Sequence, residues 1–367
     1  MAVLSARRPR PRTHLTGRAM FVKHLPIGDA GSGGCRGRGH FPRSPAGGYN
    51  RPPAMRILIT ADLHYDIARS REPTEALARR AIETGGDCLV LVGDSAGRAI
   101  GPLRACLRLF ADFSGRKLLV PGNHCLWCNP DEDSLDRYER ILPAAAWEEG
   151  FAVLDHEPVV CDGVGLVGSV GWYDYSLRDH SLDIPLPFYE AKVSPGAAAR
   201  LDEHDDLFDA HRHTLTDRHL TFGARWMDGV HVRLPFTDEQ FVDLLAHKLA
   251  RQLADVSARS DRVVALLHHL PFERLVPDSR PERLAFAAAY MGARRFGEVL
   301  LACDKLTHVY CGHSHWPARR RIGGVKVVNI GSTYTHKHLE VLDLVAGRCE
   351  SVRASTARSQ PETAPRG

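Results

Sequence analysis

Residues 306–315 read LTHVYCGHSH. Residues 306–311 form a short apolar run that predicts a buried strand, and Gly312 follows it directly. His313 and His315 come next, two positions apart. Alternate side chains of an extended chain point to the same face, so both imidazoles can leave the strand end together. Such a pair is common in surface loops. It becomes strong evidence for a metal site only when other residues of metal-ligand type follow strands in the same way.

Composition and charge indicate a globular protein with a mildly acidic body. The chain has 367 residues, 44% of them hydrophobic and 25% charged, which is ordinary for a globular protein. Its net charge of +4 hides an asymmetry, because residues 1–54 hold nine arginines, one lysine and one acid and carry +9, which leaves −5 for the rest. An acidic body does not favour a general nucleic-acid-binding surface. The sequence contains no run of eighteen apolar residues, so it predicts no membrane span.

The cysteines indicate reduced thiols. There are nine, an odd number, scattered through predicted strands and helices, which fits a cytoplasmic protein better than a disulfide framework. Cys125 and Cys128 form a C-x-x-C pair, which is typical of a redox or metal-binding clip. No thioredoxin-like pattern surrounds the pair, so we favour two independent thiols.

The two ends of the chain differ in composition from its body. Residues 1–54 are rich in Arg, Pro and Gly, and we expect a disordered segment, with an Arg-rich targeting segment as the alternative. Met55 opens a strand-like run and would make a natural first residue. The predicted domain covers residues 55–350, with a polar insertion at about residues 175–236 that caps a site or packs beside it. We expect residues 351–367 to form a disordered tail.

The body of the chain alternates between predicted strands and helices. Residues 56–60, 88–92 and 117–120 predict strands, and residues 73–84 and 100–113 predict the helices between them. This order implies right-handed crossovers and a mostly parallel βαβαβ start. Further on, the pattern predicts a helix over 133–142, short strands over 151–170, a helix over 237–256 with a capping box at Thr237 and Gln240, a strand over 262–267, a helix pair over 283–303 interrupted near Gly292, and strands over 325–330 and 339–344.

Metal-ligand residues follow five of these strands. In chain order the strand ends give Asp62-x-His64, Gly93-Asp94, Gly122-Asn123-His124, His268 and the pair His313 and His315. Imidazole and oxygen donors together suit Mn, Fe, Zn or a similar divalent ion, and the absence of cysteine argues against a structural zinc site. Two such ions would generate a hydroxide at neutral pH and neutralise charge on a phosphate, so the donor set predicts phosphoester hydrolysis.

This ordered set resembles the calcineurin-like metallophosphoesterase superfamily, whose pattern is D-x-H, G-D, G-N-H, H and G-H-x-H. The resemblance spans about residues 56–345. It implies an α/β fold of four layers, in which two mixed β-sheets pack face to face and are flanked by helices, and it implies a site for two divalent metal ions. The resemblance further implies that Asp62, His64 and His315 hold the first ion, that Asn123, His268 and His313 hold the second, that Asp94 bridges both, and that His124 is the catalytic residue that orients phosphate and protonates the leaving oxygen.

The chain departs from the family pattern at two positions near His124. Many members carry an acid three residues after the bridging aspartate, where this chain has Gly97, and another acid after G-N-H, where it has Cys125. His124 therefore needs a different partner to fix its tautomer. The departure also weakens any likeness to the Ser/Thr protein phosphatase branch. His268 fits the family position better than His269, which could instead touch substrate, and Trp172, Tyr173 and Asp174 could line the pocket or pack in the core.

The expected function is a metal-dependent hydrolase that cleaves a phosphomonoester or a phosphodiester with a hydroxide bound by two metal ions. We expect a small or medium phosphoester substrate, with nucleic acid as a less favoured alternative and no membrane partner. A non-catalytic interaction module that keeps the fold is the alternative from another class, although such a module would not need all seven ligands. The pattern leaves the metal identity, the natural substrate and the oligomeric state open.

Overall fold

Two mixed β-sheets form the centre of the structure. The computed structural model describes residues 54–277, 281–345 and 348–355, and twelve strands in these ranges form two six-stranded sheets. The strands are β1 (Ala54–Thr60), β2 (Cys88–Val92), β3 (Arg116–Val120), β4 (Ala152–Val153), β5 (Val159–Cys161), β6 (Val164–Ser169), β7 (Arg262–Leu267), β8 (Leu306–Cys311), β9 (Ala318–Ile322), β10 (Val325–Asn329), β11 (His338–Val345) and β12 (Arg348–Ser355).

The strand order places all five ligand-bearing strands in parallel sets. The first sheet runs β12-β11-β1-β2-β3-β4, and β1 to β4 are parallel. The second sheet runs β5-β6-β7-β8-β10-β9, and β6, β7, β8 and β10 are parallel. In the first sheet β11 is antiparallel to both of its neighbours, β12 and β1, and in the second sheet the edge strands β5 and β9 are antiparallel to β6 and β10. The predicted fold class, two mixed sheets with a parallel βαβαβ start, is confirmed.

Helices connect the strands and cover the outer faces of the sheets. They are α1 (Ala68–Thr84), α2 (Ile100–Arg108), α3 (Asn123–Leu126), α4 (Ser134–Asp136), α5 (Leu142–Glu148), α6 (Leu186–Glu190), α7 (Pro195–Ala198), α8 (Asp205–His211), α9 (Asp217–Leu220), α10 (Asp228–His231), α11 (Asp238–Arg259), α12 (Glu282–Ala287) and α13 (Arg294–Leu301). A π-helical turn at Arg137–Ile141 joins α4 to α5. Among the described residues, no helix has the length and apolar content needed to cross a membrane.

Alternation along the strands separates two hydrophobic clusters. Ile57 and Ile59 of β1 share a cluster with Val264 and Leu266 of β7, so this cluster fills the space between the sheets. Leu58 belongs to the other cluster, which joins the outer sheet faces to the helices. Both faces of each sheet are therefore buried, which explains why the strands read as nearly continuous apolar runs.

Several elements differ from the sequence prediction. Helix α1 begins at Ala68, five residues before the predicted start, and contains Pro73. The side chains of Ser70 and Thr74 anchor its first turns, donating hydrogen bonds to the carbonyls of Tyr334 and Leu63. Helix α2 ends at Arg108 instead of near residue 113. Strand β9 was not predicted at all.

The predicted terminal segments are only partly covered by the described residues. Residues 1–53 of the predicted N-terminal segment and residues 356–367 of the predicted tail lie outside them. The tail was predicted to begin near residue 351, whereas strand β12 runs to Ser355 and pairs with β11.

The insertion at residues 175–236 is a set of short helices, α6 to α10, joined by turns. Its last part lies against the loop that follows β3. The Cys128 N–H donates to the His231 carbonyl, and the Ser134 N–H donates to the Arg233 carbonyl. The insertion is thus connected by backbone hydrogen bonds to the segment that carries Asn123 and His124.

Candidate metal centre

The carboxyl ends of β1, β2, β3, β7 and β8 meet at one edge of the sandwich, and the predicted ligands meet there. Three groups of side chains could each hold a cation: Asp62, His64 and His315; His64, Asp94 and His124; and Asp94, His268 and His313. Within each group the ligand atoms lie within 4.8 Å of one another. The second sheet supplies His268, His313 and His315, and the first sheet supplies the others, so the site spans both layers.

The backbone turns sharply at five of the predicted ligands. Asp62, His64, Asp94, His313 and His315 have φ angles of 57°, 43°, 48°, 68° and 56°. Left-handed backbone is uncommon for non-glycine residues, and where it persists it is held by the surrounding structure, often at functional sites. These turns direct the side chains away from the strand ends and into the shared pocket.

The first donor group consists of Asp62, His64 and His315. The Nε2 atoms of His64 and His315 are 3.1 Å apart, and His315 Nε2 is 3.5 Å from Asp62 Oδ1. The His313 N–H donates to Asp62 Oδ1 at 3.0 Å, which orients the carboxylate. His64 and Asp62 are completely buried, whereas His315 is partly exposed.

The second donor group consists of Asn123, His268 and His313. His268 Nε2 lies 3.2 Å from Asn123 Oδ1 and 3.2 Å from His313 Nδ1. The other ring nitrogens of the two histidines face backbone carbonyls, His268 Nδ1 that of Val92 and His313 Nε2 that of Tyr290. Such outer hydrogen bonds fix the tautomer of a metal-binding histidine and aim its second nitrogen at the ion.

Asp94 lies between the two donor groups. Its Oδ2 is 3.7 Å from His64 Nε2 and 3.4 Å from His268 Nε2. Its Oδ1 accepts the His124 N–H at 3.0 Å, which leaves Oδ2 directed at the site. Gly122 makes this position possible, because a Cβ atom there would be 2.2 Å from Asp94 Oδ1.

The charge distribution in the site favours a cation. When both histidines are neutral, His268 Nδ1–H and His313 Nε2–H donate to backbone carbonyls. His268 Nε2 and His313 Nδ1 then face each other, and each presents a lone pair. Burial opposes charge on His268, yet Asp94 outweighs it and raises the pKa of His268 to about 9. Burial also opposes charge on Asp94, but His268 and His124 hold its pKa well below the usual value. Positive charge is therefore stabilised where the donors converge, as a bound divalent ion requires.

The site opens to solvent beside His124 and His315. His124 Nε2 is 3.9 Å from Asp94 Oδ2, and its ring stacks on Trp127 at 3.8 Å. The Tyr334 ring lies 5.0 Å from that of His64 and 5.1 Å from that of His315, and the Arg69 guanidinium lies 4.5 Å over it. The rim therefore combines aromatic faces with a positive charge.

Other residues singled out in the sequence lie away from the pocket. His269 is completely buried and packs behind His313, with ring centroids 4.2 Å apart. Trp172 and Tyr173 are completely buried in the core, where their polar atoms donate hydrogen bonds to Asp238 and Asp228. Cys125 and Cys128 are free thiols with separate partners, the Ala96 carbonyl and the Ser134 hydroxyl.

Two buried residues at the site were missed by the sequence analysis. Lys337 Nζ donates to the Asp62 carbonyl at 2.6 Å, and burial lowers the pKa of Lys337 to about 8. Asp228, from the insertion, accepts a hydrogen bond from Asn123 Nδ2 at 2.9 Å. Neither belongs to a local motif. A polar residue such as Asp228 in a segment without periodicity gives no signal of burial.

Known proteins resemble this chain in sequence and in fold. The sequence profile of the family described as calcineurin-like phosphoesterase matches residues 55–317. Among solved structures, phosphopantetheinyl hydrolase from Mycobacterium tuberculosis is similar in fold, with a TM-score of 0.55 and 19% identity over 76% of this chain and 89% of its own. A dimetal phosphatase from Danio rerio matches with a TM-score of 0.45 and 12% identity over 83% of this chain and 99% of its own. A search of curated protein sequences gave no significant match.

The matched region covers more than half of the chain and contains every predicted ligand. Members of this family are metal-dependent phosphoesterases, and the clustered histidine and aspartate side chains are suited to bind metal ions. The chain belongs to the calcineurin-like phosphoesterase family.

Proposed function

We propose that this protein is a hydrolase that cleaves a small phosphoester, monoester or diester, at a site for two divalent ions. The position of Asp94 carries the proposal. Its Oδ2 lies between His64 Nε2 and His268 Nε2, at 3.7 and 3.4 Å, where one carboxylate oxygen could serve both donor groups. Asp62, His64 and His315 would hold one ion, and Asn123, His268 and His313 the other.

Metal ions at this site would supply a hydroxide nucleophile at neutral pH and offset negative charge on the phosphate oxygens. The protein side chains would place the ester. His124 is partly exposed at the mouth, beside Asp94, where it can donate a proton to the leaving oxygen as the P–O bond breaks. Manganese is our choice of ion for the first assays, because the mixed nitrogen and oxygen donors suit it.

The rim supports a small, anionic substrate. Arg69 over Tyr334 provides a positive charge next to the donors, and Trp316, directly after His315, is 59% exposed. A flat aromatic side chain and a guanidinium can hold the organic part and a second negative group of a compact ester. The acidic body of the chain makes nucleic acid the less favoured substrate.

Hydrolysis assays on both ester classes test the proposal. The Mn²⁺-loaded protein should hydrolyse an aryl phosphodiester, an aryl phosphomonoester or both, and Asp94→Ala should lower kcat by at least ~100-fold, because it removes the carboxylate shared by both groups. If the metal-loaded protein hydrolysed neither ester, the alternative of a non-catalytic interaction module with the same fold would be favoured.

We also propose a cytoplasmic location. The seven cysteines from Cys88 to Cys311 are free thiols, which fits a reducing compartment. Fractionation of cells that express the full chain, with an antibody against the protein, tests this location.

A further inference from the structure

Asp228 is a buried carboxylate on which four hydrogen-bond donors converge. It is 1% exposed and is the first residue of α10 in the insertion. Its Oδ1 accepts from Asn123 Nδ2 at 2.9 Å and from Trp127 Nε1 at 2.6 Å. Its Oδ2 accepts from the Tyr173 hydroxyl at 3.1 Å and from Trp226 Nε1 at 2.7 Å. A buried carboxylate with so many donors is held firmly in one orientation.

The first consequence concerns the side-chain amide of Asn123. An ionised carboxylate only accepts hydrogen bonds, so Asp228 must face the NH₂ group of that amide. The carbonyl oxygen of the amide then points the other way, toward His268 Nε2 at 3.2 Å. Asp228 therefore decides that Asn123 offers oxygen, and not nitrogen, to the candidate metal centre.

The second consequence concerns His124. The position three residues after Asp94 is Gly97, so no acidic side chain at that position can hold His124. Its ring instead lies flat on Trp127, with centroids 3.8 Å apart and an interplanar angle of 22°. The Trp127 indole N–H donates to the same Asp228 oxygen that holds Asn123. The ring of His231, also from the insertion, lies next to Trp127, with ring centroids 4.6 Å apart.

We infer that Asp228 is a positioning residue through which the inserted segment sets the orientation of Asn123 and, by way of Trp127, of His124. The insertion is then part of the metal centre and not only a cover beside it. This inference rests on the proposed function for the role of His124, whereas the role of Asn123 concerns metal binding alone.

Asp228→Asn tests the inference with little change in shape. The substituted amide is neutral and has one acceptor oxygen in place of two. The donors on one side, either Asn123 with Trp127 or Tyr173 with Trp226, then face an NH₂ group, and the donors on the other side keep only a weaker, uncharged acceptor, so the hold on Asn123 weakens in both orientations. We expect the Mn²⁺ affinity of the donor group that contains Asn123, measured by calorimetric titration without substrate, to fall about 10- to 100-fold, the usual effect of removing an outer partner of a metal ligand. We expect kcat to fall as well, with a smaller change in KM.

Asp238→Asn is the matched control. Asp238 also accepts from a tryptophan, a tyrosine and a further donor, namely Trp172 Nε1, the Tyr175 hydroxyl and Lys192 Nζ, but it touches none of the predicted ligands. Both variants should lower the melting temperature, because each disturbs a buried hydrogen-bond network. Only Asp228→Asn should weaken Mn²⁺ binding. Equal Mn²⁺ affinity in Asp228→Asn and the unmodified protein would overturn the inference.

Trp127→Phe tests the effect of Asp228 on His124 separately from its effect on Asn123. It also gives a result if Asp228→Asn does not fold. It keeps an aromatic face under His124 and removes the indole N–H that anchors this face to Asp228. We expect kcat to fall about 10-fold with Mn²⁺ affinity within ~3-fold of the unmodified protein. An unchanged kcat would refute the inference that Asp228 orients His124 by way of Trp127. If the unmodified protein binds Mn²⁺ but hydrolyses no ester, the proposed function fails while the Mn²⁺ titrations still decide the role of Asp228.

Discussion

At the scale of single residues, the position of Asp94 depends on Gly122, because a side chain at residue 122 would collide with the Asp94 carboxylate. Gly122 has φ of −116°, which any residue can adopt, so only the contact with Asp94 requires glycine there. We predict that Gly122→Ala destabilises the fold by about 1–3 kcal/mol through overpacking and weakens Mn²⁺ binding by moving Asp94. Urea unfolding and Mn²⁺ titration measure the two effects.

Gly101→Ala is the control for that substitution. Gly101 lies in α2, and a Cβ atom there would have no heavy atom within 4 Å. Alanine should stabilise this helix by up to about 1 kcal/mol and leave Mn²⁺ binding unchanged. If both alanine variants bound Mn²⁺ like the unmodified protein, the close approach at Gly122 would have no role in placing Asp94.

His308 should make the fold sensitive to acid. It is 3% exposed, and burial, with the charges of Lys326, Arg262 and Arg321, lowers its pKa to about 4. Between about pH 6.5 and 4 the unfolded chain binds a proton that the folded chain excludes, so the stabilisation is complete above pH 6.5 and is lost as the pH falls through this window. The free energy of unfolding lost between pH 6.5 and 4 through His308 amounts to at most ~3 kcal/mol.

The test of this pH dependence is His308→Gln, which should flatten the stability profile between pH 6.5 and 4 in urea unfolding. His336→Gln, at an exposed position, is the control and should follow the unmodified protein. A profile for His308→Gln as steep as that of the unmodified protein would contradict the prediction and would assign the acid sensitivity to other groups.

The predicted ligands could be found from the sequence because each lies one to four residues after the end of a strand. Strand ends are local features, and parallel strands bring them to one edge of a sheet. Asp228 and Lys337 could not be found in this way. Asp228 is 105 positions from Asn123, and Lys337 is 275 positions from Asp62, so only the folded chain shows these contacts.

At the scale of elements, α11 is a long helix whose start is fixed by a capping box. The Gln240 N–H donates to the Thr237 hydroxyl, and the Thr237 N–H donates to Gln240 Oε1. We predict that Thr237→Ala lowers the free energy of unfolding by about 1 kcal/mol, because the Gln240 N–H loses the hydroxyl that accepts its hydrogen bond. Thr237→Ser keeps the hydroxyl and should be nearly neutral in urea unfolding. Equal stability of the two variants would argue against the cap.

Elements that are buried on both faces were predicted best. Strands β2 and β7 occupy the predicted residues 88–92 and 262–267, because continuous apolar runs of this length mark buried strands. Strand β9 has the sequence ARRRI and is an edge strand that pairs with β10. Its arginines show no burial pattern, so nothing in the local sequence distinguishes it from a loop.

At the scale of the whole molecule, residues 54–355 supply both sheets, both hydrophobic clusters and every predicted ligand. We predict that the chain shortened to begin at Met55 unfolds at the same temperature, within ~2 °C, and binds Mn²⁺ as the full chain does. Calorimetry of the two chains tests this expectation. A lower melting temperature in the shortened chain would show that residues 1–54 contribute to stability.

Metal binding should also stabilise the entire domain. A ligand that binds only the folded chain stabilises it by about 2.7 kcal/mol when present at 100 times its Kd. We predict that Mn²⁺ raises the midpoint of thermal unfolding, that a chelator lowers it again, and that Asp94→Ala shows a much smaller Mn²⁺ response. A midpoint independent of Mn²⁺ in the unmodified protein would contradict metal binding at this site.

The origin of the donors in both sheets gives this linkage a further meaning. Each donor group takes side chains from both sheets, so ions held there would link the first sheet to the second. A cell short of the metal would then hold a protein that opens more often and is degraded sooner by proteases that attack the open state. Metal supply would set the abundance of the protein in the cell as well as its activity.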